Sequence, residues 1–424
     1  MDNKLFSTFR ALKHRNYRLY FIGQLASLTG TWMQNVAQSW LVYRLSHSPI
    51  LLGAMTFANQ IPAFLLAPIG GACADRFNKR YLLLVTQTAA MLLALGLGGL
   101  IFADLVKIPY LFVFTALLGI VNAFDMPTRH SFVIELVGKE DLANAIALNS
   151  AMFNSARTIG PAIAGILVAT IGEGWCFLIN AASFLAVIVA LLFMDTKNLP
   201  RLATTRSALA EILDGFRFTV GNPPLRNMMT LLVVNSVFGL LYAVLMPIFS
   251  DKILDGGVRG LGMLMASAGI GTLFGSLMLA TRRSAHGLER WISGSGWGYG
   301  AALVLFAWSK TFWLSAVFLF PIGFFQVVQW SASNTLIQAI IPDELRGRVM
   351  ALYIMTFVGG GPLGALFGGW MANRIGAPLT VSVSGIACIT GATLFALRFK
   401  MQEDKDKKPD LTNTLSRKVA SYTE

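Results

Sequence analysis

Residues 50–103 read ILLGAMTFANQIPAFLLAPIGGACADRFNKRYLLLVTQTAAMLLALGLGGLIFA. Two apolar runs, 50–72 and 81–103, flank a short loop at 71–80, and that loop holds every charge in the stretch: Asp75, Arg76, Lys79 and Arg80. About 20 mostly apolar residues, rising 1.5 Å each as helix, cross a hydrocarbon core roughly 30 Å thick. The stretch therefore predicts two membrane-spanning helices joined by a tight basic turn.

The same pattern recurs on both sides. Runs at 17–43, 108–127, 142–171 and 174–194 complete a set of six, and a polar stretch, 195–225, ends it. Six more follow at 226–249, 258–281, 290–309, 311–334, 345–372 and 377–398. This predicts an all-α membrane protein of twelve transmembrane helices in two six-helix bundles, 1–194 and 226–399. A cytoplasmic linker, 195–225, joins them, and a disordered cytoplasmic tail, 400–424, closes the chain. Composition agrees: 55% of the 424 residues are hydrophobic and only 13% charged, against roughly 25% charged in soluble proteins. A net charge of +13 invites a nucleic-acid partner, but such a partner needs its Lys and Arg on one soluble face. Here they lie in short clusters between apolar runs.

Those clusters set orientation, because Lys and Arg are retained on the cytoplasmic side. Twelve spans put both termini on one side. The opposite side carries just Arg44, Lys107, Lys252, Arg259, Lys310 and Arg374, and both termini are therefore expected in the cytoplasm. Cys73, Cys176 and Cys388 are too scattered for a disulfide framework and are read as packing residues. The first run follows Lys4, Arg10, Lys13, Arg15 and Arg18 and is too long for a cleavable signal core, so it is expected to stay as an anchor.

The two halves repeat one another. E-D-L-A-N-A-I-A-L (140–148) leads into Gly160-Pro161, and D-E-L-R-G-R-V-M-A-L (343–352) leads into Gly361-Pro362. Parallel six-span repeats are a recurring transporter architecture.

With that frame, Gly71, Asp75, Arg76, Lys79 and Arg80 resemble the signature between the second and third spans of the major facilitator superfamily. Asn78 stands where the family has a second glycine; Asn tolerates positive φ, so the turn is expected to survive. A-R-T-I-G-P-A-I-A-G (156–165) resembles the Gly-Pro motif of that superfamily's exporters, with Ala156 and Ala164 in place of glycine. Two stretches, G-T-W-M-Q-N-V-A-Q-S-W-L-V-Y (30–43) and the 140–165 segment, make the chain similar to the bacterial twelve-span branch of enterobactin-type siderophore exporters and macrolide efflux proteins. The resemblance implies a secondary active exporter of amphipathic small molecules in the inner membrane, working by alternating access with protons as the coupling ion. It implies that spans 1, 4, 7 and 10 line a central cavity. It also implies a latch in which Asp75 packs near the helix start at Asp343–Arg348 and near Arg129, with Gly71 allowing close approach. The Gly-Pro pairs would then seal or hinge the outer side, with ordinary helix packing as the alternative reading.

Polar side chains inside the spans are the binding candidates. Span 1 places Thr31, Gln34, Asn35 and Gln38 at i, i+3, i+4 and i+7, and span 10 places Gln326, Gln329, Trp330 and Ser333 likewise. Span 4 offers Asn122, Asp125, Met126 and Arg129, and span 7 offers Asn235, Gly239 and Tyr242. Amides facing lipid are costly, so such stripes point to a wet cavity or to hydrogen bonds between helices. The substrate candidates are Gln34, Asn35, Gln38, Arg157, Asn235, Gln326, Gln329 and Trp330. Arg157 lies deep in span 5 and needs a partner: an anionic substrate group, or a permanent ion pair or backbone contact. Asp125 either binds the coupling proton or forms a fixed pair with Arg129 at i+4.

No H-E-x-x-H and no Walker sequence occurs, so the chain is not expected to be an enzyme or to hold a metal or cofactor. The expected partners are a small-molecule substrate, the bilayer and protons, with no nucleic acid, and the protein is expected to be monomeric. A uniporter or importer, or a non-transporting membrane sensor or scaffold, are the alternatives.

Overall fold

The computed structural model describes residues 9–194, 208–281, 287–342 and 345–407. Span 1 is the helix Arg15–Ser46, span 2 Pro49–Arg76 and span 3 Lys79–Phe102. Spans 4 and 5 form one run, Ile108–Ile171, and span 6 is Glu173–Leu192. The described part of the linker holds a helix, Ala208–Gly221. Span 7 is broken into Pro223–Phe238, Leu241–Ile248 and a π turn, Phe249–Ile253. Spans 8 to 12 are Gly257–Ala280, Leu288–Trp308, Phe312–Ile340, Arg346–Ile375 and Ala377–Lys407.

Local chemistry explains the boundaries. Ser48 caps span 2 by accepting from the Leu51 amide, with Pro49 at the first helical position, where its missing N–H costs nothing. Asn78 does the same for span 3, accepting from the Tyr81 amide at 3.1 Å with φ −64°. The turn after the basic loop therefore needs a cap rather than the positive φ expected of Asn78. The loops from span 5 to 6 and from span 11 to 12 turn on Gly172 (φ 92°, ψ 165°) and Gly376 (φ 84°, ψ 159°). That conformation is essentially reserved for glycine, and its recurrence at matching places is a second mark of the six-plus-six repeat.

Among the described residues, nine helices are long and apolar enough to cross a membrane. One of these, Ile108–Ile171, contains two spans, divided at Gly138 (φ 72°, ψ 179°). Spans 1 and 9 fall short because of their Gln, Asn, Ser and Gly content, and they complete the twelve. Span 4 runs about ten residues beyond its predicted edge at 127, up to that glycine. The last helix continues to Lys407, inside the tail expected to be disordered from 400; residues 408–424 lie outside the described residues.

Leucines, isoleucines and phenylalanines such as Leu65, Ile166, Phe193 and Leu277 are more than half exposed around the perimeter. In water such a surface would aggregate; against acyl chains it is the expected lipid face. Trp175, Trp308 and Trp313 are exposed at the outer span ends, where aromatic side chains anchor at the interface.

The halves meet along two seams near the end opposite the termini, here called the outer end. In one, span 5 meets span 8: a methyl on Gly262 would lie 2.5 Å from the Pro161 carbonyl and 2.8 Å from the Gly165 Cα. In the other, span 2 meets span 11: a methyl on Gly53 would lie 2.2 Å from the Ala365 carbonyl. Small residues let helix backbones approach this closely. Toward the inner end the seam of spans 2 and 11 parts: Gly71 and Gly347 face open space.

Candidate transport cavity

Between the halves, under the outer seams, lies a cavity of ≈ 330 Å³. Span 1 contributes Trp32, Asn35, Gln38 and Val42, and span 2 contributes Met55, Asn59 and Gln60; the C-terminal half adds Tyr242, Met246, Met265 and Gly361. Thr115 of span 4 and Arg157 of span 5 complete the polar part of the wall. The lining is mostly apolar with a few convergent polar groups, which is how small-molecule sites are built. Its methionines suit varied ligand shapes, because the thioether chain is flexible and polarizable.

Arg157 is placed from both halves. Gly160, one turn on, would clash with Trp32 Cβ at 2.6 Å if it carried a methyl, so span 5 sits tightly on span 1. Trp32 then lies with its ring centroid 5.8 Å from the guanidinium carbon, within cation–π range. From the other half, Gln326 Oε1 accepts from Arg157 Nη2 at 3.1 Å. Gln326 Nε2 donates to the Tyr299 hydroxyl at 2.9 Å, which donates in turn to the Gly239 carbonyl at the break in span 7. Among the described residues no carboxylate pairs with Arg157.

The remaining candidates separate. Asn35, Gln38 and Arg157 line the cavity. Gln38 Nε2 donates to Thr115 Oγ1 at 2.6 Å, which fixes its amide against span 4. Gln34, one residue from Asn35, faces the opposite way and accepts from Asn180 Nδ2 of span 6 at 2.6 Å. Gln329 is buried against span 9, donating to the Ile292 carbonyl at 3.4 Å. Asn235 is buried in span 7 outside the cavity lining, and Trp330 packs edge-on against Phe357, 4.6 Å between centroids. The span 10 stripe thus mainly binds its own half together; Gln326, 1% exposed, meets the cavity's Arg157, and the lining residues come from other spans.

Asp125 is 2% exposed. Thr86 Oγ1 and Gln87 Nε2 of span 3 both donate to its Oδ1 at 2.8 Å, and its other oxygen meets Arg129, which also donates to Gln24 of span 1 at 3.1 Å. The carboxylate thus ties spans 1, 3 and 4 together. In the basic loop, Lys79 pairs with Glu135 and Arg80 donates to the Leu192 carbonyl at 2.8 Å, while Asp75 and Arg76 are exposed. Asp75 makes no ion pair with a described residue, and Arg129 is engaged by Asp125 instead; Asp343 lies outside the described residues. Close approach falls at Gly70, where a methyl would sit 1.9 Å from the Ala123 carbonyl, rather than at Gly71. Of the Gly-Pro pairs, Gly160 packs on span 1 as above, and Gly361 packs on Gln60 of span 2.

Sequence reasoning also passed over Asp251. It follows the predicted end of span 7, yet the π turn carries it to the seam, where its carboxylate accepts from the Tyr43 hydroxyl of span 1 at 2.8 Å. The signal available was Pro247, which has no backbone N–H to donate and so disturbs the helix just before Asp251.

The profile of a family described as transmembrane secretion effectors matches residues 6–421. The chain is 27% identical over 396 residues to the staphyloferrin A transporter of Staphylococcus aureus, covering 91% of this chain and 98% of that one. It is 26% identical to the multidrug efflux pump Tap of Mycolicibacterium fortuitum, covering 85% and 90%. It is 24% identical to the enterobactin exporter EntS of Shigella flexneri, covering 94% and 95%. In fold it is similar to the nucleoside transporter NupG, with TM-score 0.73 at 12% identity over 91% of this chain and 99% of that one.

Proposed function

This chain belongs to the transmembrane secretion effector family of major facilitator transporters, and from that premise we propose that it exports amphipathic organic molecules, siderophore-like or drug-like, across the bacterial inner membrane. It acts as a secondary transporter by alternating access, with protons as the coupling ion, as a monomer with both termini in the cytoplasm; it is not an enzyme. The observation that carries this is the cavity between the halves, closed at the outer end by glycine seams while the inner ends stand apart. A cytoplasmic solute enters such a cavity from below, and separation of the seams releases it on the far side.

The unengaged Asp75 suits that inward-open state. Gly71 and Asp75, four residues apart on one face of span 2, dock against the start of span 11 when the inner ends close. An acid is favoured there by the free N–H groups and the helix dipole. Arg76, Lys79 and Arg80 hold the loop in place. Gly160-Pro161 and Gly361-Pro362 form the outer hinge. Asn35, Gln38 and Arg157 contact substrate, while Gln34, Asn235, Gln329 and Trp330 brace the helices behind them.

The donors crowding Asp125 support a brace across spans 1, 3 and 4. Coupling through Asp125 is checked with Asp125→Asn, because undiminished pH-driven transport by that variant removes it from proton chemistry.

The whole proposal is tested in everted membrane vesicles by uptake of fluorescent amphipathic dyes, with and without a protonophore. Protein-dependent uptake abolished by the protonophore is expected. Equal uptake by vesicles with and without the protein sinks the export assignment.

A further inference from the structure

Among the described residues, polar contacts join the halves within or beside the membrane at Tyr43 with Asp251 at the outer seam, at Asn154 with Ser276 at 3.5 Å, and at Arg157, which meets both Tyr242 and Gln326. The last differs in kind. It ends on a permanent cation that borders a cavity and lacks a carboxylate among the described residues. A neutral amide oxygen is a weak match for a guanidinium. Arg presents several N–H donors in a planar fork, and a carboxylate takes two of them at once with about twice the strength of a neutral acceptor.

The amide is also fixed in direction. Gln326 Nε2 is committed to Tyr299, and Tyr299 is committed to the Gly239 carbonyl, so Oε1 is left pointing across the interface at Arg157. Trp32 and the Tyr242 hydroxyl flank the guanidinium, and the cavity it borders is lined by the apolar side chains of Leu52, Met55, Met246 and Met265. A ligand that satisfies both surfaces has a flat or greasy body and one anionic group.

We propose that Arg157 is an anion subsite which Gln326 fills while the cavity is empty, and that a carboxylate-bearing amphipathic ligand displaces Gln326 and thereby cuts a bond between the halves. The inference rests on the transport assignment for its meaning, but not for its test. Loading then does two things. It neutralises the cation at the cavity wall, and it frees span 10 from span 5 below the seams. The affinity of the anion is reduced by whatever the Arg157–Gln326 bond contributes, since that bond must be broken first.

The experiment is equilibrium binding to purified full-length protein in lipid nanodiscs, using three probes that share one apolar body: 2-naphthoate, 2-naphthamide and 2-naphthylmethylammonium. For the unaltered protein, 2-naphthoate is expected to bind about ten- to a hundred-fold more tightly than the amide, the range for a hydrogen-bonded charge. The ammonium is expected to bind more weakly than either. Arg157→Gln should bring naphthoate down to the level of the amide. Gln326→Met should tighten naphthoate by about three- to ten-fold, because its competitor is gone. A merely structural Gln326 predicts the opposite, weaker binding of both probes. Equal binding of the three probes by the unaltered protein, or no binding of any, overturns the subsite without recourse to a variant. Weaker naphthoate binding by Gln326→Met overturns the displacement. Uptake of the neutral dye Nile red by everted vesicles tests export separately: export without charge preference sinks only this inference, and charge preference without export sinks only the transport assignment.

Discussion

The two halves share a fold but, among the described residues, their contacts differ in chemistry. The ion pairs Asp125–Arg129, Lys79–Glu135, Arg10–Asp141 and Arg44–Glu173 all lie in the N-terminal half. In the C-terminal half, the break in span 7 frees backbone carbonyls that hydroxyls satisfy: Ser384 donates to Phe238 and Tyr299 to Gly239, with Ser236 of the same span donating to Phe357 of span 11 at 2.8 Å. Backbone polar groups at membrane depth must find such partners inside the protein. A neutral bond is worth roughly 1 kcal/mol, whereas removing one partner of a buried ion pair costs about 3–5 kcal/mol. The comparison makes the N-terminal half a stiff frame and the C-terminal half the part that yields.

The largest test of that contrast is Arg129→Met, which leaves Asp125 charged and buried. Purified protein is expected to lose about 3–5 kcal/mol of stability, read by thermal or denaturant unfolding, with Asp125→Asn in the same background recovering most of it. Next, Tyr299→Phe should cost about 1 kcal/mol and leave the N-terminal half's hydrogen-exchange protection intact. A loss matching that of Arg129→Met would erase the distinction between frame and yielding partner. Smaller still is Arg44→Ala: its side chain is half exposed, so solvent screens the pair with Glu173 and the loss should stay below about 0.5 kcal/mol.

The smallest effect sharpens the comparison at the N-terminal arm. Hydrogen bonds from His14 first, then Arg10, hold the Asp141 carboxyl below the ordinary carboxylate range. A depressed carboxylate contributes fully above its ordinary pKa of about 4 and loses that contribution as pH falls through the lowered value. Protection of residues 10–20 against exchange should therefore be flat from about pH 5 to 8 and weaken only below about 4. Weakening that sets in already well above about pH 5 would take the arm's anchorage away from this carboxylate.

Much of the architecture was legible because lipid imposes a length and a polarity on each span. The twelve runs, the repeat and the basic turn at 71–80 follow from that. What escaped were matters of direction. Adjacent helical residues point about 100° apart, so a stripe holding Gln34, Asn35 and Gln38 covers both a cavity wall and a neighbouring helix. Which amide meets which depends on Asn180, in a span whose other residues are nearly all apolar; a lone amide there marks a partner for one of the three. Trp32 was quoted within a motif yet not singled out, since a tryptophan in an apolar run reads as packing until Arg157 is seen beneath it. Asp251 was lost to a boundary, because a π turn carries the helix past the point where hydropathy ends. Span 7 broke unseen for a related reason: Gly239 is tolerated inside helices, and only its neighbours' hydroxyls reveal that the ladder stops.

Gly138 gives the chain an unusual mechanical property. With a single left-handed residue between spans 4 and 5, no slack exists to absorb a shift of one against the other, so the pair behaves as a bent lever. Any push at Arg157 during loading is delivered to Asp141, which Arg10 and His14 clasp, and to Glu135, which pairs with Lys79, roughly 24 and 33 Å away by helical rise. Occupation of the cavity would thus reach the rim at the termini end as a movement of a rod rather than as a relay of side chains.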